Sequence, residues 1–555
     1  MRKSLLPILV LCLFFSSMNA QRTVGLLSYD PSQAFEGYNL VFPHNQPNVY
    51  LLDNCGEIVH MWEDSANFRP GNIAYIWPDG TLLKGKRDAS VVNDAIWAGG
   101  GGAIVEVRDW DNTLIWSYEL NDSTKRFHHD FVPMPNGNVL AIAWELKTYE
   151  ESIQAGRDTA TMAQDKLWPD YILELNPSNS DIVWEWHAWD HLIQDHDSTK
   201  DNYGVVADHP ELIDLNYDRN NGHPDWMHAN ALDYNEELDQ IMLCVPYFDE
   251  IWVIDHSTTT AQAAGHTGGA AARGGDLLYR WGNPATYRAG DSSDQTLFFP
   301  HDAHWSNDFL TAAHPDFNKI AVFNNRVGAD YSTANIFNPP WEMYSWTYTM
   351  DTDMYGPTSF DETYQHPVDP TNLYSTGLSS IQQLPNNNVL ITSGRYGYTF
   401  ELTPNNEIVW EYVTPLIGGN PASQGDTLTI NQNLTFRMKR YPADYAAFMG
   451  RTLTPQGWIE LNPDTAYCNS VISSNDREIE YFLDVYPNPA QDNIIIEWEK
   501  GGPVVNIQVF DLTGRVITEC TATGGRKYLD VSDWQNGLYI IQIEGSDTKR
   551  ILVQK

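Results

Sequence analysis

Short runs in which apolar and polar residues alternate, each closed by a turn, dominate most of the chain. Residues 48–53 lead through Gly56 to residues 58–62, 103–107 lead to 114–118, 171–175 to 182–186, and 398–402 to 408–412. A period of two predicts strands rather than helices. The second strand of a pair usually ends in Trp-x-Trp or Trp-x-Tyr, as in Trp184-Glu185-Trp186 and Trp410-Glu411-Tyr412. A looser fifth copy joins residues 250–255 to 277–281 across an insertion, and residues 341–348 are expected to supply a sixth. Between copies, Pro78, Pro135 and Pro385 each open a Pro-Asn/Asp-Gly/Asn turn followed by an apolar run, the signature of a tight connection between strands. Each unit therefore holds about four strands and there are about six units, which reads as propeller blades around a central channel. A β-sandwich would not repeat its sequence in this way.

The repeat stops near residue 462. A polar segment, residues 470–478, leads to a last module that opens with Tyr486-Pro487-Asn488-Pro489. It continues through Phe510-Asp511-Leu512-Thr513-Gly514-Arg515 and Asn536-Gly537-Leu538-Tyr539 to a basic end around Lys549-Arg550. Alternating strands with glycine turns make it a small β-sandwich. Its motifs resemble the C-terminal sorting domain of the type IX secretion system, which implies passage across an outer membrane with the secretion machinery as partner, usually with removal of the module. An adhesive or carbohydrate-binding sandwich is the plainer alternative. At the other end, Arg2 and Lys3, the apolar residues 5–15 and Met18-Asn19-Ala20 have the form of a signal peptide cut after Ala20. The expected fold class is all-β. The expected organisation is a leader over 1–20, a six-bladed propeller over 21–462, a linker over 463–480 and a sorting sandwich over 481–555. No later apolar run reaches the roughly 20 residues needed to span a bilayer, so a secreted or surface location follows.

Charge narrows the functions. Lys and Arg number 33 against 73 Asp and Glu, a formal charge of -40, and such a surface repels phosphate backbones. Nucleic acid is excluded as a partner. Acidity also keeps an exported protein soluble, and an anionic substrate would need local Arg and His groups to overcome the field. The cysteines left after the leader, Cys55, Cys244, Cys468 and Cys520, are scattered, with neither metal–thiolate spacing nor a dense disulfide framework.

Three histidine clusters and one arginine occupy comparable places in successive units: His128-His129-Asp130, His228-Ala229-Asn230, His301-Asp302-Ala303-His304-Trp305, and Asn324-Asn325-Arg326. In a propeller, equivalent positions of different blades face one channel, so side chains far apart in sequence can converge. Imidazoles with one guanidinium suit a tetrahedral oxyanion, because Arg offers a bidentate fork and each His donates or accepts a proton. A single such His is, taken alone, more often structural. Imidazole also binds metals, but Asp225 before His228 and Asp308 after His304 stand at spacings that align side chains only on a helix, and these segments read as strand and turn. Asp130 and Asp302 should orient a neighbour or cap a turn. No Gly-x-Ser-x-Gly elbow is present, and residues 99–102 lack the ending of a phosphate loop and read as a blade linker. Neither a metal nor a cofactor is expected.

The segments HHDFVPMPNGNVL, DWMHANALDYN, FFPHDAHW, VFNNR and SSIQQLPNNNVLITSGRYGYTFELTPNNEIVWEY resemble, in order across residues 37–460, the bacterial arylsulfotransferase family. The resemblance implies an exported propeller that moves a sulfuryl group from an aryl sulfate to a phenol without a nucleotide donor. By motif, His228 matches the His of the family's H-x-N signature. His301 matches the His of its Q-H element, with Pro300 in place of Gln. Arg326 follows its F-D-N-G element, written here Phe323-Asn324-Asn325. His129, Asn230, His304, Asn325 and Trp305 are expected to line the substrate site, with Trp226 and Tyr396 as further candidates to stack on an aryl ring. Family enzymes use a later His as the nucleophile that becomes sulfated. The comparable segment here, residues 379–383, has none, and His366 is the nearest candidate. Two rival readings remain: a non-catalytic surface propeller that binds a glycan or protein, and a quinone-cofactor dehydrogenase, which usually needs eight blades.

Overall fold

The computed structural model of the protein describes residues 23–91, 94–468, 484–497, 505–511, 515–522, 526–543 and 549–555. The leader over 1–20 and most of the linker over 463–480 lie outside the described residues. Residues up to 465 form one compact unit and residues 466–555 a second.

In the first unit the alternating runs become six antiparallel sheets. Blade 1 holds Thr435–Pro442, Gly37–Pro43, Val49–Leu52 and Ile58–Trp62, from the axis outward. Blade 2 holds Phe68–Ile76, Leu82–Asp88, Ile104–Arg108 and Leu114–Glu119. Blade 3 holds Lys125–Pro133, Val139–Glu145, Asp170–Asn176 and Asp181–His187. Blade 4 holds Ala231–Asn235, Gln240–Val245, Glu250–Asp255 and Tyr279–Trp281. Blade 5 holds Pro300–Trp305, Ile320–Asn324, Thr333–Phe337 and Glu362–Tyr364, and blade 6 holds Ser380–Gln383, Val389–Ser393, Tyr398–Leu402 and Ile408–Val413. The innermost strands touch in succession around the ring and back to the start, so the channel is closed. Two latches join its ends: blade 1 takes its innermost strand from the far end of the domain, and Gly25–Tyr29 adds an outer strand to blade 6.

A tryptophan in the fourth strand of five of the blades has a shared task. The indole N–H of Trp62 donates to Asp109 O of the next blade (3.1 Å), Trp116 to Ser180 Oγ (3.0 Å) and Trp184 to Thr258 Oγ1 (3.2 Å). Trp281 donates to Pro357 O (2.7 Å) and Trp410 to Asn54 O (2.8 Å). Each bond contributes about 1 kcal/mol, and the buried ring adds to it. Near the axis a second set repeats. Asp130 accepts from Leu232 N (3.0 Å), Asp233 from Trp305 N (2.7 Å), Asp302 from Ile381 N (3.0 Å) and Gln382 from Arg440 N (2.8 Å). A side chain of one blade thus closes a backbone donor on the next blade's inner strand, which would otherwise be buried without a partner.

The sixth copy is corrected. Residues 341–348 are not a blade strand pair but a separate hairpin, with Trp341 paired to Tyr348, inserted between the third and fourth strands of blade 5. The outer strand of that blade, Glu362–Tyr364, carries no tryptophan, which is why its copy is hidden in the sequence.

Arg437 lies across the channel. Its Nη2 stands 2.8 Å from Asp130 Oδ2 and its Nε 2.7 Å from Asp302 Oδ1. Nη1 donates to Tyr75 Oη (2.9 Å) and Nη2 to Asn230 O (3.2 Å). One guanidinium therefore connects five of the six blades at one level. On one side of it opens a cavity of about 340 Å³ whose walls include Phe42, Val132, Asp233, His304 and Ile381. On the other side lie the paired histidines His129 and His228.

The second unit has a three-stranded sheet (Asp484–Tyr486, Asn493–Glu497, Arg526–Asp530) and a four-stranded sheet (Val516–Ala522, Val505–Asp511, Gly537–Ile543, Lys549–Val553). They share a core of Ile494, Ile496, Ile507, Val509, Ile541 and Ile551. It is a small sandwich. Among the described residues no helix is long and apolar enough to cross a membrane.

Candidate functional site

The backbone bends just before three inner strands and in the middle of a fourth, that of blade 3. His129 (φ 51°), His228 (φ 60°), Phe299 (φ 58°) and Leu378 (φ 64°) all occupy the left-handed region, which is uncommon for residues with a Cβ and tends to gather at functional sites. In blade 3 the pairing register slips between Phe131 and Phe127, a bulge that sends the adjacent His128 and His129 in different directions. His128 stacks on Trp144 (3.9 Å between ring centres, 11° apart), with its Nε2 3.2 Å from Asp170 Oδ1. That contact lacks hydrogen-bond alignment. His129 faces His228 across 4.5 Å.

His228 is held from behind. Asp225 Oδ2 lies 2.5 Å from its Nδ1, and Trp144 Nε1 donates to the other carboxylate oxygen (3.1 Å). A separation of three residues needs no helix here: residues 223–230 are irregular, and the left-handed His228 folds the turn so that the two side chains meet. The helix-only expectation for this spacing is thereby corrected. Burial pulls His228 toward its neutral form, but the charge and hydrogen bond of Asp225, with help from Asp170, more than reverse this, and its pKa is raised. His129 is the opposite case. Burial, then His228, His128 and His301, push its pKa well below the usual imidazole range.

His301 is also held neutral, by burial first and by His228 second. Its tautomer follows from its partner. The Asn325 amide nitrogen donates to Ser375 O (2.9 Å) and Leu378 O (3.1 Å), so the amide oxygen, 2.7 Å from His301 Nδ1, must accept. The ring proton is then on Nδ1 and the lone pair on Nε2.

Phe299 is the platform on which these groups meet. Its ring centre is 6.5 Å from that of His228, 5.7 Å from His301 and 5.4 Å from Tyr247, and the Arg326 guanidinium lies 3.6 Å over its face. Arg326 is exposed and anchored through Nε to Thr376 O (3.0 Å). A methyl group on Gly377 would approach Arg395 Nη2 to 3.3 Å and both His301 and Phe299 to 3.7 Å, so Arg395 borders the same space. Its Nε is buried without a hydrogen-bond partner among the described residues.

The expected site residues divide. His129, His228 and His301 come together, with Arg326 at their edge. Asn325 stands behind His301 rather than facing the space. Asn230 is fully buried and donates to Pro300 O (2.9 Å), bracing blade 4 against blade 5, while its Oδ1 has no partner among the described residues. His304 belongs to the opposite cavity, because three residues of strand span about 10 Å and carry it past Arg437. Trp305 and Trp226 are core residues, 1% and 0% exposed. His366 is remote from the cluster: it packs on Phe400, with Nε2 3.2 Å from Tyr398 Oη in the third strand of blade 6. The glycines at 99–102 are not a link between blades but part of the loop between the second and third strands of blade 2. Gly100 O accepts from His129 N (2.8 Å), and a Cβ at Gly100 would come within 2.1 Å of His129 Nε2. Spacing does not single out Tyr247, Phe299 or Arg395, and it reaches Asp225 only at a separation read as requiring a helix. Adjacency to the histidine and arginine motifs, in DWMH, FFPH and SGRYGY, marks Asp225, Phe299 and Arg395 in the sequence, whereas Tyr247 lies in VPYFD, outside all of them.

The sequence matches the arylsulfotransferase family over residues 30–415 and the secretion system C-terminal sorting domain over residues 484–554. No curated protein matches the chain. Solved structures similar to it include a protein of unknown function from Bacteroides caccae, 10% identical, covering 73% of this chain and 98% of that one with a TM-score of 0.39. PorZ, a surface component of the type-IX secretion system of Porphyromonas gingivalis, is 10% identical over 93% of this chain and 51% of that one, with a TM-score of 0.24. Virginiamycin B lyase from Staphylococcus aureus is 10% identical over 72% and 91%, with a TM-score of 0.30. Similarity at this level carries no argument about what this chain does.

Proposed function

Because the chain belongs to the arylsulfotransferase family and ends in a sorting domain for export, we propose that it is an exported, nucleotide-independent sulfotransferase that moves a sulfuryl group from an aryl sulfate to a phenol at the histidine-lined end of its channel. The observation that carries the reading is the Asn325 amide, whose two donated bonds leave His301 with a free Nε2 lone pair. In the first step His301 Nε2 attacks sulfur, the N–S bond forms and the S–O bond to the aryl group breaks. His228, kept protonated by Asp225, gives its proton to the departing phenolate. Asn325 accepts from the Nδ1–H of the sulfated, positively charged ring. In the second step neutral His228 takes the proton of the acceptor phenol, whose oxygen attacks sulfur and restores His301. Arg326 and Arg395 hold the sulfuryl oxygens, local cations against the field of the whole protein. Tyr247 and Phe299 receive the aryl rings.

The test is turnover of a chromogenic aryl sulfate with a phenol acceptor, followed by mass spectrometry of quenched protein. Phenol release with a sulfated peptide containing His301 is the expected result, and absence of both would exclude the reading. A pH profile examines the acid. Since the protonated His228 is the reactive form, the rate should fall on the alkaline side. Removing the carboxylate charge in Asp225→Asn should move that limb to lower pH, because the imidazolium loses what sustains it. A limb that stays in place would assign the proton to another group. The second reading, a non-catalytic propeller that binds a glycan or protein, is favoured by one observation: residues 379–383 at the start of blade 6, the segment comparable to the one in which the family carries its nucleophile, contain no histidine, and Ser379 Oγ there accepts from Gly394 N at 2.9 Å.

A further inference from the structure

A second cluster of chemical groups lies away from the channel, where the outer parts of blades 3 and 4 meet. His191 follows the outer strand of blade 3, and His266 and Asp276 belong to the insertion that precedes the outer strand of blade 4. The Asp276 Oδ1 atom stands 2.8 Å from His191 Nδ1 and 2.7 Å from His266 Nδ1. All three ligand atoms lie within 4.8 Å of one another.

The hydrogen-bond inventory of His191 makes the cluster more than a polar contact. His191 is fully buried, and its Nε2 lies 2.8 Å from Ala263 O. A carbonyl oxygen only accepts, so Nε2 carries a proton. With Nε2 committed to the carbonyl, the Nδ1 atom and the carboxylate oxygen, 2.8 Å apart, can meet only through a cation between them, either a proton or a metal ion. A metal-bound imidazole that donates its far N–H to a carbonyl is the usual outer-shell arrangement of a metal site. The surroundings are rigid. The Trp186 ring lies parallel to His191 (5.6 Å between centres, 5° apart) and donates to Gly275 O (2.7 Å). A Cβ at Gly275 would come within 2.0 Å of Ala263 O and 2.6 Å of His191 Nε2, so only glycine lets this strand of chain pass so close.

We propose that His191, His266 and Asp276 bind one Zn²⁺ ion, with water as the fourth ligand on the exposed His266 side. Two imidazoles and one carboxylate form a borderline donor set that zinc accepts at about 2.0–2.2 Å per bond. Two such bonds at a tetrahedral angle hold their donor atoms about 3.3 Å apart, so the separations of 2.8 Å from His191 and 2.7 Å from His266 to Asp276 must both widen, most readily on the side of His266, whose side chain is 59% exposed. The ion would fasten the blade 4 insertion to blade 3. The three ligands come from two blades and none of them borders the histidines of the channel, so the role is structural, independent of sulfuryl transfer.

The test uses the full-length protein, stripped with a chelator, returned to metal-free buffer and titrated with ZnCl₂ while heat and bound metal are measured. One equivalent should bind and the thermal midpoint should rise. His266→Ala, at an exposed position, and the isosteric Asp276→Asn should each weaken binding by more than the 10–100-fold that loss of an outer-shell partner costs, with unchanged circular dichroism. His228→Ala should retain the full equivalent. Less than one equivalent in the parent protein, one that survives His266→Ala, or one lost in His228→Ala would each overturn the proposal.

Discussion

Replacing His301 with glutamine should lower turnover of an aryl sulfate on the order of 10⁴-fold and abolish the sulfated peptide, because Asn325 leaves the His301 Nε2 lone pair open while Asp225 favours the protonated form of His228. Losses of this size are usual when a nucleophile that acts together with an acid is removed. Glutamine is the appropriate replacement, since its amide can donate to Asn325 Oδ1 as His301 Nδ1 does at 2.7 Å, and the variant should unfold at the temperature of the parent. The comparison with His129→Gln is decisive. The ε nitrogen of His129 is pressed against Gly100, so this variant should weaken substrate binding while still yielding a peptide sulfated at His301. A His301→Gln variant that keeps a tenth of the parent's rate, with sulfate on His129, would reverse the assignment.

Substitution of Arg437 by methionine should destabilise the propeller by about 3–5 kcal/mol, the range seen when one partner of a buried ion pair is removed. The cost lies in what remains: Asp130 and Asp302, both buried, lose the cation at 2.8 and 2.7 Å, and Tyr75 and Asn230 O lose a donor. Urea unfolding followed by tryptophan fluorescence measures the loss. Adding Asp130→Asn and Asp302→Asn to the same chain should recover part of it, since neutral amides tolerate burial better. A single Arg437→Met variant within 1 kcal/mol of the parent would show that water or rearrangement replaces the cation at little cost.

How much of this was legible in the sequence depends on what each residue does. The blades were countable because the same indole-to-neighbour bond recurs at Trp62, Trp116, Trp184, Trp281 and Trp410, and a repeated task leaves a repeated residue. Blade 5, whose outer strand lacks it, was assigned to the wrong segment. The histidines could be grouped because His129, His228 and His301 stand at the same phase of their blades. The sequence does not reveal which end of a strand a side chain serves. His301 and His304 are three residues apart, yet Arg437 lies between their surroundings. Nor does it reveal a left-handed turn, and Asp225 meets His228 only through one. His366 is suggested by residue type alone, and in the structure it follows the outer strand of blade 5 and packs against Tyr398 and Phe400 of the third strand of blade 6.

The two latches set an order of events for the nascent chain. The outer edge of blade 6 is completed by residues 25–29 and the inner edge of blade 1 by residues 435–442, so every contact that seals the circle joins segments about four hundred positions apart. Until residues 435–442 are available, the inner edge of blade 1 is an open sheet margin, the kind of surface on which other chains add strands, and closure of so long a loop is slow. A polypeptide paused before that point is therefore adhesive rather than folded, and the segment from 435 to 442 acts as the clasp that ends this hazard.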